Sequence, residues 1–281
     1  MKSDRLTWEG KYGIINKIKQ NVKAVMGMVL ALDIGNSEIA IGGFEEDALR
    51  FVSHIETNAS QTTDEYAIKI LNILALHSVD FKTVQGAVVS SVVPQLNFAI
   101  KKALRFVFGV DALFVGPGVK TGLGIQCDMP SSVGSDLICA CVAAKKLCSG
   151  ASLIIDIGTA TKMMVVNKKG AFIGASIIPG VMMGLNALAK ETAQLPNVDL
   201  DSPSSVIAIN TADCMKSGVV FGHASMLDGM IERFFEAYGE ELPIYVTGSL
   251  AHLILPYCKH DMILDEHLVL TGLYMIYQKN D

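Results

Sequence analysis

A duplicated α/β fold of two domains is predicted, and three observations carry that prediction. An apolar run, Met28-Val-Leu-Ala-Leu-Asp33, ends in the turn Ile34-Gly35-Asn36-Ser37 and gives way to a second strand-like run. The arrangement returns as Ser152-Leu-Ile-Ile-Asp156, then Ile157-Gly158-Thr159-Ala160-Thr161 and another apolar run, a repeat at about half the chain length. The first copy continues as three strands followed by alternating helix and strand, and the second repeats the three-strand meander.

The composition suits this architecture. The chain has 281 residues, 51% of them hydrophobic, enough for two core-bearing domains. A net charge of −5 leaves no basic stripe for nucleic acid. No apolar run reaches the 18 or so residues that a membrane span needs, so the mean hydropathy of +0.40 points to a large core or a buried subunit interface. The six cysteines include no CxxC pair and no zinc-finger spacing with the histidines. They are expected to be reduced residues of a cytoplasmic protein. A ligand pair at Cys139 and Cys141 fails on geometry, because helical residues two apart do not share a face.

Residues 1–27 carry six Lys/Arg against two acids and lack the continuous apolar core of an export signal. The segment reads as an amphipathic appendage or a start-site extension outside a fold that begins at Met28. Strands are then expected at 28–33, 38–44 and 48–55, with an acidic turn at Glu45-Glu46-Asp47. Thr63-Asp64-Glu65 caps a helix to about His77, with Tyr66, Ile70, Ile73 and Leu74 inward. A buried strand at 86–93, a helix from Pro94 to about Phe108 and a short strand at 112–115 complete the first unit. Gly116-Pro-Gly-Val-Lys120-Thr-Gly122 is not a Walker loop, because Val119 stands where glycine must precede the Lys-Thr pair. It reads as an interdomain or site-lining turn.

Pro130 opens a helix with Ser132 as the expected N-cap, running over 137–147 and placing Asp136 in its first turn. The positive end of the helix dipole favours a negative charge there, for a site or simply for the helix. The second copy supplies strands at 151–157, 161–167 and 171–178, a helix to about Glu191, and a loop through Pro203. Asn210-Thr211 caps a long helix to about Tyr238, on which Gly218, Gly222 and Gly229 share a narrow face that permits close helix packing. Ile244–Thr247 is a strand ending in Gly248-Ser249, a turn suited to a nucleotide or simply to starting a helix. A helix at about 266–278 closes the chain.

The two Asp-x-Gly turns are either phosphate loops or plain hairpins. Gly35 and Gly158 allow backbone N–H groups to face phosphate oxygens. Asn36, Ser37, Thr159 and Thr161 can add hydrogen bonds. Asp33 and Asp156 would be repelled by phosphate and call for a cation.

From Met28 onward the chain resembles the bacterial type III pantothenate kinases, of the acetate and sugar kinase, Hsp70 and actin superfamily. The resemblance rests on Asp33-Ile-Gly-Asn36, Thr63-Asp-Glu-Tyr66, Ser90-Ser-Val-Val-Pro94, Gly116–Gly122, Gly134-Ser-Asp136, Asp156–Thr161, Ala193-Gln-Leu-Pro196 and Ser217-Gly218, in that order. It implies a duplicated ribonuclease H-like (actin-like ATPase) fold with a mixed five-stranded sheet in each domain, divided into an extension at 1–27 and domains at 28–129 and 130–281. It also implies ATP-dependent phosphorylation of the pantothenate hydroxyl, the first step toward coenzyme A, in a cytoplasmic homodimer. Asp136 would be the catalytic base. Asp33 would organise Mg2+ and the phosphates, Asp156 a monovalent cation (K+ or NH4+), and Thr159 would touch ATP. Gly134, Ser135 and the residues at 127 and 137 would belong to the pantothenate pocket, with Thr211 reaching in from the other subunit.

The acceptor side departs from the family pattern. Leu137 replaces an Arg that would pair with the pantothenate carboxylate, a charge-assisted bond worth about 1.5–3 kcal/mol. Cys127 replaces Tyr and Ala140 replaces Asn. Smaller departures are Ser37 for Thr, Lys162 for the second Thr of the phosphate motif, and Ser249 for Gly. Lys162 could substitute as the carboxylate's partner. The alternative is a nucleotide-binding dimeric paralogue without pantothenate kinase activity, or a kinase for an uncharged hydroxyl acceptor.

Overall fold

The computed structural model of the protein describes residues 27–281; the expected extension, apart from Gly27, lies outside the described residues. Strands β1 (Met28–Ile34), β2 (Glu38–Glu45) and β3 (Ala48–Glu56) form an antiparallel meander. The β2–β3 turn consists of Glu46 and Asp47, both with positive φ, which suits a two-residue hairpin to the right-handed twist of its strands. Helix α1 (Thr63–Leu76) follows. Its capping box is Thr62 with Glu65, one residue earlier than expected, because the Thr62 hydroxyl reaches the N3 backbone N–H and Thr63 is already helical. Strand β4 (Val84–Ser91), helix α2 (Pro94–Phe108, with Pro94 in its first turn) and strand β5 (Leu113–Phe114) complete the sheet, in the order β3-β2-β1-β4-β5.

A two-residue strand β6 (Gly124–Ile125) and a 3-10 turn at Pro130–Ser132 lead to helix α3 (Ser135–Leu147). Its N-cap is Gly134 rather than Ser132, whose hydroxyl is spent on the Met129 carbonyl inside the 3-10 turn. The second half runs β7 (Ser152–Ile157), β8 (Ala160–Val166), β9 (Ala171–Pro179), α4 (Val181–Glu191), α5 (Thr211–Tyr238), β10 (Ile244–Thr247), α6 (Ala251–Ile254), β11 (Ile263–Leu264) and α7 (Leu268–Gln278). Asn210 caps α5 through the Asp213 N–H.

The second sheet runs β11-β10-β7-β8-β9-β6. Without β6 it repeats the first sheet strand for strand, with the same antiparallel and parallel pairings. It therefore has six strands rather than the expected five. The added β6 pairs with β9 from within the 28–129 segment, so the sheets exchange material across the expected division.

Helices α3 and α7, each following the last strand of a repeat unit, pack on one another, and α7 also packs on β1 and β4 of the first sheet. Their contact is a core shared by both halves, while each sheet has its own core on the opposite face. This explains why α3 is buried continuously from Ser135 to Ala144, without an amphipathic stripe. Cys139 and Cys141 are fully buried in it, and burial pushes both thiols well above their ordinary range, Cys141 to about 12. All six cysteines are free. Among the described residues no helix is long and apolar enough to cross a membrane.

Candidate active site

A cavity of about 1200 Å³ lies where the two Asp-x-Gly turns face each other. Asp33, Gly35, Asn36 and Ser37 line it from one side and Asp156, Gly158 and Thr159 from the other. Gly134, Asp136 and Leu137 reach it from the start of α3, Cys127 from the segment before, and Thr247, Gly248 and Ser249 from the end of β10.

The turns are held from within. The Gly35 N–H donates to the Glu38 carbonyl at 3.0 Å, while Thr57 donates its N–H to the Ser37 carbonyl and its hydroxyl to the Gly35 carbonyl. The second turn carries the N-terminus of α4 against it: a Cβ at Gly180 would overlap the carbonyl oxygens of Gly158 and Thr159, so only glycine fits. The Ser37 and Thr159 hydroxyls meet at 2.9 Å, joining the two turns.

Strand register sets the charged groups. In the β7–β8 hairpin Asp156 stands directly opposite Lys162, and cross-strand partners share a face. The Lys162 ammonium donates to Asp156 Oδ2 at 2.6 Å and to Asp136 Oδ2 at 2.7 Å. All three side chains are at most 16% exposed, so water screens them little. Asp136 is positioned through its neighbour: the Ser135 hydroxyl accepts from the Ser91 N–H at 3.0 Å and bonds the Ser90 hydroxyl at 2.9 Å, fastening the start of α3 to the end of β4. The other Asp136 oxygen, Oδ1, is buried and has no donor among the described residues.

Three carboxylates face one ammonium. Burial, then the charge of Asp136, raises the Asp33 pKa to about 7, with Asp156 adding to the effect against the Ser90 hydrogen bond and Lys162. Burial also raises Asp156, against the pull of Lys162. Burial works against the Lys162 charge, but Asp156 and Asp136 outweigh it and raise the pKa of the amine. Asp33 has no ammonium in direct contact, and a further cation beside it would favour its ionised form. Among the described residues no cluster of three His, Cys, Asp or Glu forms a metal cage. Asp33 therefore fits Mg2+ of the kind held by one or two carboxylates plus substrate phosphates. A monovalent ion on Asp156 does not fit, because the Lys162 ammonium already stands against that carboxylate.

Not every expected site residue reaches the cavity. Thr161 alternates away from Ala160 and Lys162, fully buried on the other face of β8, where its hydroxyl bonds His223 Nε2 at 2.9 Å. Burial lowers the His223 pKa. Ser135 is spent on Ser90 and Ser91 and does not line the cavity. Thr211 is exposed at the start of α5, away from the cavity of its own chain. The Gly116–Gly122 loop is tied instead to the C-terminus, where Asn280 bonds both the N–H and the carbonyl of Lys120. His54, His252 and His267 line the cavity without belonging to any motif. Val133, Leu137, Phe172, Met182 and Met183 give the cavity an apolar lining.

Comparison with known proteins bears on the family and the fold. The model of the type III pantothenate kinase family matches residues 29–233. A putative 2-dehydro-3-deoxygalactonokinase from Sinorhizobium meliloti superposes with a TM-score of 0.56 at 13% identity, over 89% of this chain and 96% of that one. Component A of the (R)-2-hydroxyglutaryl-CoA dehydratase of Acidaminococcus fermentans gives 0.52 at 12%, over 89% and 97%. The ethanolamine utilization protein EutJ of Carboxydothermus hydrogenoformans gives 0.50 at 14%, over 95% and 96%. At such identities these likenesses establish the fold alone, the actin-like ATPase fold. With most of its length matched by the family model and its two sheets duplicated in the actin-like manner, the chain belongs to the type III pantothenate kinase family.

Proposed function

We propose that the protein phosphorylates pantothenate to 4'-phosphopantothenate at the expense of ATP, the first step of coenzyme A synthesis, in the cytoplasm. The observation that carries this reading is the buried, unpartnered Oδ1 of Asp136 in the cleft between the two glycine turns. With Oδ2 held by Lys162, Oδ1 keeps an unused acceptor and, turned from its buried position toward the cleft, would take a hydrogen bond from an entering hydroxyl. The hydroxyl oxygen bonds to the γ-phosphorus, the bond from that phosphorus to the ADP oxygen breaks, and the hydroxyl proton passes to Oδ1. Such transfer needs positioning and charge neutralisation more than covalent chemistry. Gly35, Gly158 and Gly248 would bring backbone to the nucleotide, with Asn36, Ser37 and Thr159 as polar contacts. Mg2+ held through Asp33 would neutralise phosphate charge when bound.

One observation favours a second acceptor class. Among the described residues the only Lys or Arg lining the cavity, Lys162, is committed to two carboxylates, and Leu137 belongs to its apolar lining. A hydroxyl compound without a carboxylate would meet no penalty there. ATP consumption by the purified protein, with and without pantothenate and with mass analysis of the product, tests both readings. Pantothenate-dependent ADP and phosphopantothenate are the expected result; ADP formed only with an uncharged alcohol selects the second, and nucleotide binding without turnover identifies a non-catalytic paralogue.

A further inference from the structure

Lys162 sits where the strand register forces it, opposite Asp156, and it bridges to Asp136 from the start of α3. Both contacts are short, and the side chain is 16% exposed. A buried carboxylate is stable as an anion only with a partner of opposite charge or several donors. Here the chain itself supplies that partner, on a strand that cannot slip by a residue without turning its whole apolar face outward. In the first repeat the corresponding pair is Asp33 opposite Ala40, so the matching cross-strand position holds no ammonium.

We infer that the Lys162 ammonium is a built-in monovalent cation, occupying the seat on Asp156 that the family resemblance gives to potassium, so that the nucleotide cleft works without monovalent salt. An alkylammonium and a potassium ion carry the same charge and are of similar size, and two carboxylate contacts still leave one of the three N–H donors for a phosphate oxygen. The lysine also ties the base to the phosphate strand, which a diffusible ion does only while bound. The inference rests on the cleft being the ATP site, and the test separates the two ideas.

The test compares wild type, Lys162→Thr and Lys162→Met in potassium chloride and in tetramethylammonium chloride of equal ionic strength, so that general screening is constant. Affinity for a non-hydrolysable Mg-ATP analogue is measured by calorimetry, and the melting temperature is measured without nucleotide. Wild type should give the same affinity and melting temperature in both salts. Lys162→Thr, which empties the seat, should lose affinity about tenfold or more in tetramethylammonium and recover in potassium. Its melting temperature should follow the same pattern. Lys162→Met fills the seat without charge and should be impaired in both salts. A wild type that needs potassium for affinity or stability overturns the inference, as does equal rescue of both variants or indifference of Lys162→Thr to the salt. If no protein binds the analogue in any salt, the ATP-site reading fails, while the melting temperatures still decide whether potassium enters the vacated seat.

Discussion

Gly272 of α7 lies against the backbone of Cys139 in α3, so close that a Cβ at 272 would overlap the Cys139 carbonyl group. The contact joins the two helices that end the repeat units, and with them the two sheets whose turns form the cleft. Neither backbone can give way, because α3 is buried all round and α7 also rests on β1 and β4.

Gly272→Ala should therefore be far more damaging than an alanine usually is in a helix, where it gains about 1 kcal/mol over glycine. We expect destabilisation of about 1–3 kcal/mol, the usual cost of overpacking a core. Chemical denaturation checks this, and a variant as stable as wild type would show that the helices can separate freely.

Asp33 gives the protein a pH signature. Its folded pKa of about 7 lies above the ordinary 3.8, so the folded state resists ionising it. The stabilisation relative to an ionised Asp33 is complete below the ordinary value and is lost as pH rises to about 7. Asp33→Asn should match wild type in melting temperature near the low end of that window and exceed it increasingly up to the high end. A difference that is flat with pH would remove the burial argument.

Much of this was legible in the chain because strands and turns announce themselves locally. Apolar runs closing on Asp-Ile-Gly gave both β1 and β7, and the long helix after Asn210 followed from its cap and period. The strands β6 and β11 were not read from the chain, whereas β5, equally two residues long, was, from the apolar stretch at 112–115; a pair of residues has no periodicity of its own, and the pairing of β6 and β11 is decided by the neighbour they meet. The displacement of the α3 cap from Ser132 to Gly134 has the same root, a hydroxyl captured by a nearer carbonyl. In the site, the glycines and carboxylates were readable by type. The Lys162 bridge was not, because it joins residues 26 positions apart through a fold contact. Thr161 and Ser135 had the right chemistry, but the strand's alternation and the Ser90–Ser91 anchor turned them to other partners.

The glycine face of α5 predicts an assembly. Outside the backbone of α5 itself, none of the described residues lies within 4 Å of where a Cβ would stand on Gly218, Gly222 or Gly229, and Ile207 and Ile209 are 80% and 97% exposed. We expect a symmetric homodimer to cover this face, with the exposed Thr211 turned toward the partner. Light scattering at micromolar concentration should give twice the 30.1 kDa chain mass, and Gly222→Glu should give the monomer. A monomeric wild type rejects the assembly and the role of Thr211 in a partner's site.

The sharpest test of the cleft compares its two ends. Asp136→Asn keeps the shape of the side chain and leaves an oxygen for Lys162, but it removes the proton acceptor. Turnover should fall by about 10²–10⁴, the usual worth of a positioned base, while binding of an ATP analogue changes little. Leu137→Arg acts at the other end, where no Lys or Arg among the described residues is free for a carboxylate. If pantothenate is the acceptor, the new guanidinium should lower its apparent KM about tenfold or more, with kcat nearly unchanged. The gain should come with a loss of about 1.5–3 kcal/mol of stability, because Leu137 is only 9% exposed. A KM unmoved by Leu137→Arg in an active enzyme means that the carboxylate lies elsewhere or that the acceptor has none, and steady-state kinetics with an uncharged alcohol then decides between them. Equal turnover by wild type and Asp136→Asn would remove Asp136 from the chemistry altogether, leaving its buried Oδ1 as a purely structural acceptor.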